Sequence, residues 1–168
     1  MIRKLLSITF LLAMPIFTVV AQQKPDFSGT WKLNVAKSEF GVLPPLESRT
    51  DVITHKDPSL SDSVTQEGAE GKQQYTTNYT TDGKEVVNQI GPREFKTTVK
   101  WVGSSLTLTS KFVYEGADVV GESTWTLSSD GKTLTVNIHY ASSLGEVDQK
   151  FVYEKQDGGA SATPATKP

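Results

Sequence analysis

Residues that could perform catalysis or bind a metal are few in this 168-residue chain. It contains no cysteine, which excludes disulfides, thiolate metal sites and a cysteine nucleophile. We expect its two histidines, His55 and His139, to face solvent from strands with apolar neighbours. A metal site would need both of them and a carboxylate to meet across the molecule. The sequence therefore predicts no metal site and no cofactor.

Hydroxyl and carboxyl groups give no stronger sign of catalysis. The segment Gly121-Glu122-Ser123-Thr124-Trp125 is superficially similar to a nucleophile elbow, but the final glycine is absent and no helix follows. The aspartates that end strands or lie on polar faces form no pair placed for acid–base work: Asp26, Asp51, Asp62 and Asp118. We therefore predict that the protein is not an enzyme.

The N-terminal segment predicts export. Residues 1–21 combine Arg3 and Lys4, a 16-residue apolar run to Val20, and small residues that place cleavage near Ala21. The run is shorter than the ~20 residues that span a bilayer, and no later segment is long and apolar enough. We expect a cleaved signal peptide, a secreted or periplasmic protein, and no membrane span after cleavage.

The charge of the chain argues against nucleic acid as a partner. It has 17 Lys and Arg against 19 Asp and Glu, and removal of the leader takes away two of the basic residues. The remainder is mildly acidic and has no basic block.

Alternating apolar and polar residues fill the mature chain. Phe95, Val99 and Trp101 share one face of a run, with Lys96 and Lys100 on the other. Such a period of two is typical of antiparallel strands with one side in water. Gly, Asp-Gly and Pro residues separate the runs every 9 to 14 residues or so. The pattern predicts about ten strands, near 27–34, 48–56, 59–67, 72–81, 84–90, 93–102, 105–115, 117–129, 132–142 and 145–155.

Composition favours closure of these strands into a barrel. After the leader only 46 of 147 residues are apolar, which suits a sheet with one lined face. A ten-strand meander leaves exposed edges unless it closes. We predict one all-β domain over 22–156, an up-and-down antiparallel β-barrel, with an open sheet or a sandwich as the alternative. The segment 36–46 contains Pro44 and Pro45 and predicts at most one short helical turn. Residues 157–168 predict a disordered tail.

Several motifs resemble the calycins, the superfamily of the lipocalins and the intracellular fatty-acid-binding proteins. Gly29-Thr30-Trp31 resembles their first strand, and Asp130-Gly131-Lys132 and Tyr153-Glu154-Lys155 resemble the last strands of a fatty-acid-binding barrel. The chain is also similar to small exported bacterial proteins described as lipocalin-like. The resemblance covers residues 26–156 and implies a lipocalin-like barrel. It also implies that Gly29 permits a tight turn and Trp31 is a structural plug.

Departures from that pattern bear on the ligand. Fatty-acid-binding barrels hold a carboxylate with an Arg-x-Tyr on the last strand and a second arginine. Here Tyr153 matches the tyrosine, but Phe151 and Thr126 occupy the two arginine positions. A fatty acid would lose both charge-assisted contacts. The helical lid is missing as well, because too few residues separate strands one and two.

We predict that the barrel binds a small hydrophobic or amphipathic molecule. The candidate cavity residues are the inward-facing aromatic and leucine side chains: Tyr75, Trp101, Leu108, Phe112, Tyr114, Trp125, Leu127, Tyr140, Phe151 and Tyr153. One alternative is that these side chains fill the barrel, which then acts as a protein-interaction or inhibitor module without a ligand. A second is a barrel enzyme of unknown reaction, and the oligomeric state stays open.

Overall fold

The computed structural model describes residues 24–157. The predicted signal peptide and all but the first residue of the predicted tail lie outside the described residues. The elements are β1 (Gly29–Leu33), a 3₁₀ turn (Val35–Lys37), β2 (Ser48–Lys56), β3 (Ser59–Gly68), β4 (Gly71–Thr80), β5 (Asp82–Ile90), β6 (Arg93–Val102), β7 (Ser105–Tyr114), β8 (Ala117–Leu127), β9 (Thr133–Ser142) and β10 (Gly145–Lys155). No helix in this part of the chain is long and apolar enough to cross a membrane.

The strands form one antiparallel up-and-down sheet that curls into a nearly closed barrel. Neighbours follow chain order, and β10 returns to pair with β1, so the sheet runs β4-β3-β2-β1-β10-β9-β8-β7-β6-β5. Trp31 is opposite Lys155 in that closing pair. The predicted all-β barrel of about ten strands is confirmed.

Side-chain alternation explains why these residues form strands. In β8, Ala117, Val119 and Gly121 are buried, whereas Asp118 and Val120 are exposed. Hydroxyls also pair across neighbouring strands, as in the contact of 2.9 Å between Thr97 Oγ1 and Ser110 Oγ. Such cross-strand pairs stabilise a sheet modestly, and they account for the abundance of Thr and Ser.

Aromatic side chains close one end of the barrel, which we call the base. Trp31 is fully buried, and its indole Nε1–H donates to the carbonyl of Phe27 at 2.9 Å. The ring of Phe27 packs in turn against Trp101 and Trp125, with centroid separations of 6.0 and 6.3 Å. Asp57 accepts hydrogen bonds from Thr81, from the Trp101 indole and from Lys24, and these bonds lower the pKa of Asp57 to about 2. Asp57 therefore ties the β2–β3 turn to Trp101 of β6 at the base.

His55 belongs to this base, and the expectation that it faces solvent is wrong. Its side chain is 4% exposed, its ring lies 5.8 Å from that of Trp101, and Nδ1 accepts from the Phe27 N–H at 3.3 Å. The reason is parity, because His55 is two residues from the buried Ile53 and shares its face. Burial lowers the pKa of His55. His139, by contrast, is on the outer surface beside Asp148.

One seam of the barrel lacks a backbone ladder. β4 and β5 are the two ends of the sheet order and do not pair with each other. The Asn88 side chain bridges the gap: its Oδ1 accepts from the Asn78 N–H at 2.7 Å and its Nδ2 donates to the Asn78 carbonyl at 2.9 Å. A primary amide thus replaces the missing strand contact, because it offers the same donor and acceptor as a peptide.

The sequence predicts that the Asp82-Gly83 pair, like the other Asp-Gly pair, lies in a turn between two strands, but the structure places it within a strand. It lies inside the start of β5, where the register against β6 shifts between Asp82 and Glu85, and Gly83 has a φ of +84°. Asp82 Oδ1 accepts from Thr80 Oγ1 and from the Lys84 N–H, which closes a local turn through the side chain. The dipeptide therefore forms a bulge at the seam.

Replacing Asn88 with alanine should open this seam. We expect the Asn88→Ala variant to lose about 1–2 kcal/mol of unfolding free energy, since two hydrogen bonds are removed. Urea denaturation measures the loss, and hydrogen exchange should accelerate in β4 and β5 first. The control is Asn137→Ala on the exposed face of β9. Equal stability of the two variants would contradict the bridging role of Asn88.

Candidate functional site

The barrel encloses an inner cavity of about 150 Å³. Its wall combines aromatic, aliphatic and polar side chains, and most of the sequence-predicted residues belong to it. Those lining it are Tyr75, Leu108, Phe112, Trp125, Tyr140, Phe151 and Tyr153. Other predicted residues lie elsewhere. Trp101 is part of the base, Leu127 packs against the core without lining the cavity, and Tyr114 lines the chamber outside it.

A buried ion pair occupies this cavity, and the sequence analysis missed it. Asp51 is 3% exposed, and Arg49 holds both of its oxygens, with Nε–Oδ1 at 2.8 Å and Nη2–Oδ2 at 3.1 Å. The guanidinium lies 5.8 and 5.9 Å from the ring centroids of Phe151 and Tyr153, and Nη1 donates to Gln66 Oε1 at 3.3 Å. An arginine therefore does reach the interior, but from β2 and already paired.

Asp62 is the third charged residue of the cavity. It is also 3% exposed, and its Oδ1 has no hydrogen-bond partner. Burial, with the neighbouring Asp51 second, raises the pKa of Asp62 to about 8, although Arg49 opposes the shift. At neutral pH the group is therefore mostly a protonated carboxyl. The prediction that Asp51 and Asp62 lie at strand ends or on polar faces is wrong.

Tyrosine hydroxyls complete the polar part of the cavity. Burial raises the pKa values of Tyr75, Tyr79 and Tyr140 and raises that of Tyr153 well above 10. All four are neutral at physiological pH. They supply hydroxyls that both donate and accept.

A wider chamber lies at the open end of the barrel, opposite the base. This mouth chamber measures about 660 Å³, and its wall is mainly apolar. The apolar residues are Val42, Leu43, Pro44, Pro45, Leu46, Ala69, Phe112, Tyr114, Val119, Tyr140, Leu144 and Val147. Leu144 is 60% exposed, so the chamber opens to solvent at the β9–β10 turn.

Phe112 and Tyr140 separate the two spaces, since both line the inner cavity and the mouth chamber. Their rings meet edge to face at 5.9 Å. Gly121 makes room for the tyrosine, because a Cβ at that position would lie 2.7 Å from Tyr140 Cε1. The position of Tyr140 in this partition therefore depends on a glycine in mid-strand.

A signal for the missed residues exists in the sequence. Arg49 and Asp51 share parity with Ile53, and Asp62 shares parity with Leu60 and Val64. The period of two therefore places all three charges on the inner face. Charged residues are rarely buried unless paired, and this general tendency favoured the outer face.

Comparison with known proteins shows the fold. No known protein family and no curated protein matches the chain. Among solved structures, a secretory abundant heat soluble protein of Ramazzottius varieornatus is similar, with 14% identity and a TM-score of 0.57 over 81% of this chain and all of its own. Zebrafish ileal bile acid-binding protein complexed with cholic acid has 16% identity and a TM-score of 0.53, and the match covers 77% of this chain and 98% of its own. Human cRBP IV is 16% identical with a TM-score of 0.50, and the match covers 79% of this chain and 99% of its own. The likeness shows the barrel fold that the sequence predicts.

The buried carboxyl of Asp62 should make stability depend on pH. In the unfolded chain an aspartate titrates near 4, so between about pH 4 and 8 only the folded state keeps the proton. The unfolding free energy of the wild type should therefore fall as pH rises, by at most about 1.4 kcal/mol per pH unit. The Asp62→Asn variant should lack this component of the slope.

Urea denaturation at pH 5, 6, 7 and 8 tests this, with Asp118→Asn on the exposed face of β8 as the control. Contributions from His55 and His139 are common to all three proteins and cancel in the comparison. Parallel pH profiles for wild type and Asp62→Asn would contradict a protonated carboxyl in the cavity.

Proposed function

We propose that this protein is an exported barrel that binds a small hydrophobic or amphipathic molecule in its interior. The observation that carries the proposal is the pair of adjoining spaces, a polar inner cavity beneath an apolar mouth chamber. Ligand sites in proteins are concave and mainly apolar, with a few polar groups that fix orientation. The two spaces together supply both components.

The volumes favour this function over a filled interaction module. Side chains that packed the interior completely would leave no space, whereas about 150 Å³ remains between them and about 660 Å³ opens above. A cavity of the inner size accepts a ring or a short head group. The mouth chamber is large enough for an apolar body.

The charges favour binding over catalysis. Asp51 and Asp62 converge in the cavity, as the enzyme alternative requires, but Arg49 occupies both oxygens of Asp51. Only the Asp62 carboxyl is then free, whereas acid–base catalysis needs one group that donates a proton and another that accepts one. One of the similar structures, zebrafish ileal bile acid-binding protein, carries the name of a binding protein and is complexed with cholic acid.

Export is proposed from residues 1–21 alone. Intact-mass measurement of the protein purified from its own host tests it. We expect a mass lacking those residues, with protein recovered outside the cytoplasm. A full-length mass would contradict cleavage.

The mouth chamber should control binding of an apolar probe. We expect the fluorescence of N-phenyl-1-naphthylamine to rise on addition of the protein. A charge at Leu144 would disfavour the apolar body, so Leu144→Glu should raise the Kd about fivefold. Val102→Glu is the matched control, because Val102 is 64% exposed but lies at the base end of β6.

Native mass spectrometry of the protein from its own host completes the test. A reproducible co-purified small molecule is the expected result. A clean apo mass, together with no fluorescence response, would overturn the proposed function in favour of an interaction module.

A further inference from the structure

We propose that the inner cavity selects a protonated primary or secondary amine, so that the preferred ligand is an apolar amine with its ammonium group beside Asp62. This inference rests on the proposed function and names its ligand class. Three features of the cavity support it: an unpartnered carboxyl oxygen, acidic residues at the entrance, and aromatic side chains in the wall.

The unmet group is a carboxyl. Asp62 Oδ1 is buried and has no hydrogen-bond partner, although Asp62 is only 3% exposed. Unpartnered buried polar atoms are rare because each is costly. Once the carboxyl is ionised, both of its oxygens only accept, so this oxygen then lacks an N–H or O–H donor, and a carboxylate ligand carries none.

The cation already present is not free to receive an anion. Arg49 makes two hydrogen bonds to Asp51 and a third to Gln66. An anionic head group would have to displace Asp51 and would then leave that carboxylate buried without its partner, a strongly destabilising change. The residues lining the inner cavity contribute one cation and two carboxyl groups, so the cavity is neutral while Asp62 keeps its proton and carries a net charge of −1 once that proton has left. A ligand bearing one positive charge restores neutrality.

The walls and the entrance favour the same charge. Tyr75, Tyr79, Tyr153 and Phe151 line the cavity, and aromatic faces attract cations, as the position of Arg49 over Phe151 and Tyr153 illustrates. The charged residues lining the mouth chamber are Glu70 and Glu146, and none of its lining residues is basic. Cations are therefore concentrated along the route and anions are repelled.

Bound ammonium would also change the proton count of the cavity. Asp62 faces Arg49 and Asp51 from β2, Tyr75 and Tyr79 from β4, and Tyr153 from β10. When an ammonium arrives, the Asp62 carboxyl gives its proton to the solvent and becomes the counterion. The ammonium keeps its own protons. Binding at pH 7 should therefore release about one proton per ligand.

Isothermal titration calorimetry with decylamine, 1-decanol and decanoate tests the inference, because these probes share one chain and differ in the head group. We expect decylamine to bind at least about tenfold more tightly than decanol, and decanoate to bind most weakly. Titrations in buffers of different ionisation enthalpy measure the released proton. In the Asp62→Asn variant the preference for the amine should fall to within about threefold of the alcohol, with no proton released. Asp118→Asn should behave as the wild type.

The outcomes distinguish failure of the amine selectivity from failure of ligand binding in general. Equal binding of the three probes, tightest binding of decanoate, or an amine preference that survives Asp62→Asn would overturn the amine selectivity and leave the proposed function standing. Failure of the wild type to bind any of the probes would overturn both. Circular dichroism of Asp62→Asn establishes that the variant is folded, and its binding of decanol shows that its cavity is intact.

Discussion

Closure of a single sheet around one buried face is the constraint on which this structure depends. A thin sheet of ten strands has only one side to bury, and the 46 apolar residues after residue 21 suffice only for a lined shell. The pairing of β1 with β10 joins the first and the last strand. The indole of Trp31 closes the base of the barrel that results. The cavity is thus a by-product of closure, because the strand number sets a radius that the side chains do not fill.

The same closure places three ionisable side chains where water is scarce. Arg49 and Asp51 lie two residues apart on β2, so one strand brings both inside and lets them pair in good geometry. Asp62, on the adjacent β3, has no such partner. Burial of a charge is tolerated only if it is paired or neutralised. Asp51 follows the first route and Asp62 the second, by retaining its proton.

Much of the fold could be predicted from the sequence, because a period of two and regularly spaced turn residues determine strands locally. The bounds of β6 and β10 agree with their predicted ranges. Parity also contained the information that His55, Asp51 and Asp62 face inward, yet the tendency of charged residues to stay outside argued against it. The close contact between Gly121 and Tyr140, by contrast, could not be predicted from side-chain alternation. It depends on the register between β8 and β9, which no single segment encodes.

The polarity of the interior gives the site a direction. Apolar surface is concentrated at the mouth, and hydrogen-bonding groups are concentrated below the partition of Phe112 and Tyr140. Apolar contacts have no directional preference, so on their own they would bind a chain in either orientation. The deep polar groups remove that ambiguity, because a ligand that entered tail first would leave Asp62 unpaired and expose its own apolar end. The proposed amphipathic ligand would therefore enter head first, with its polar head at Asp62 and its apolar body in the mouth chamber.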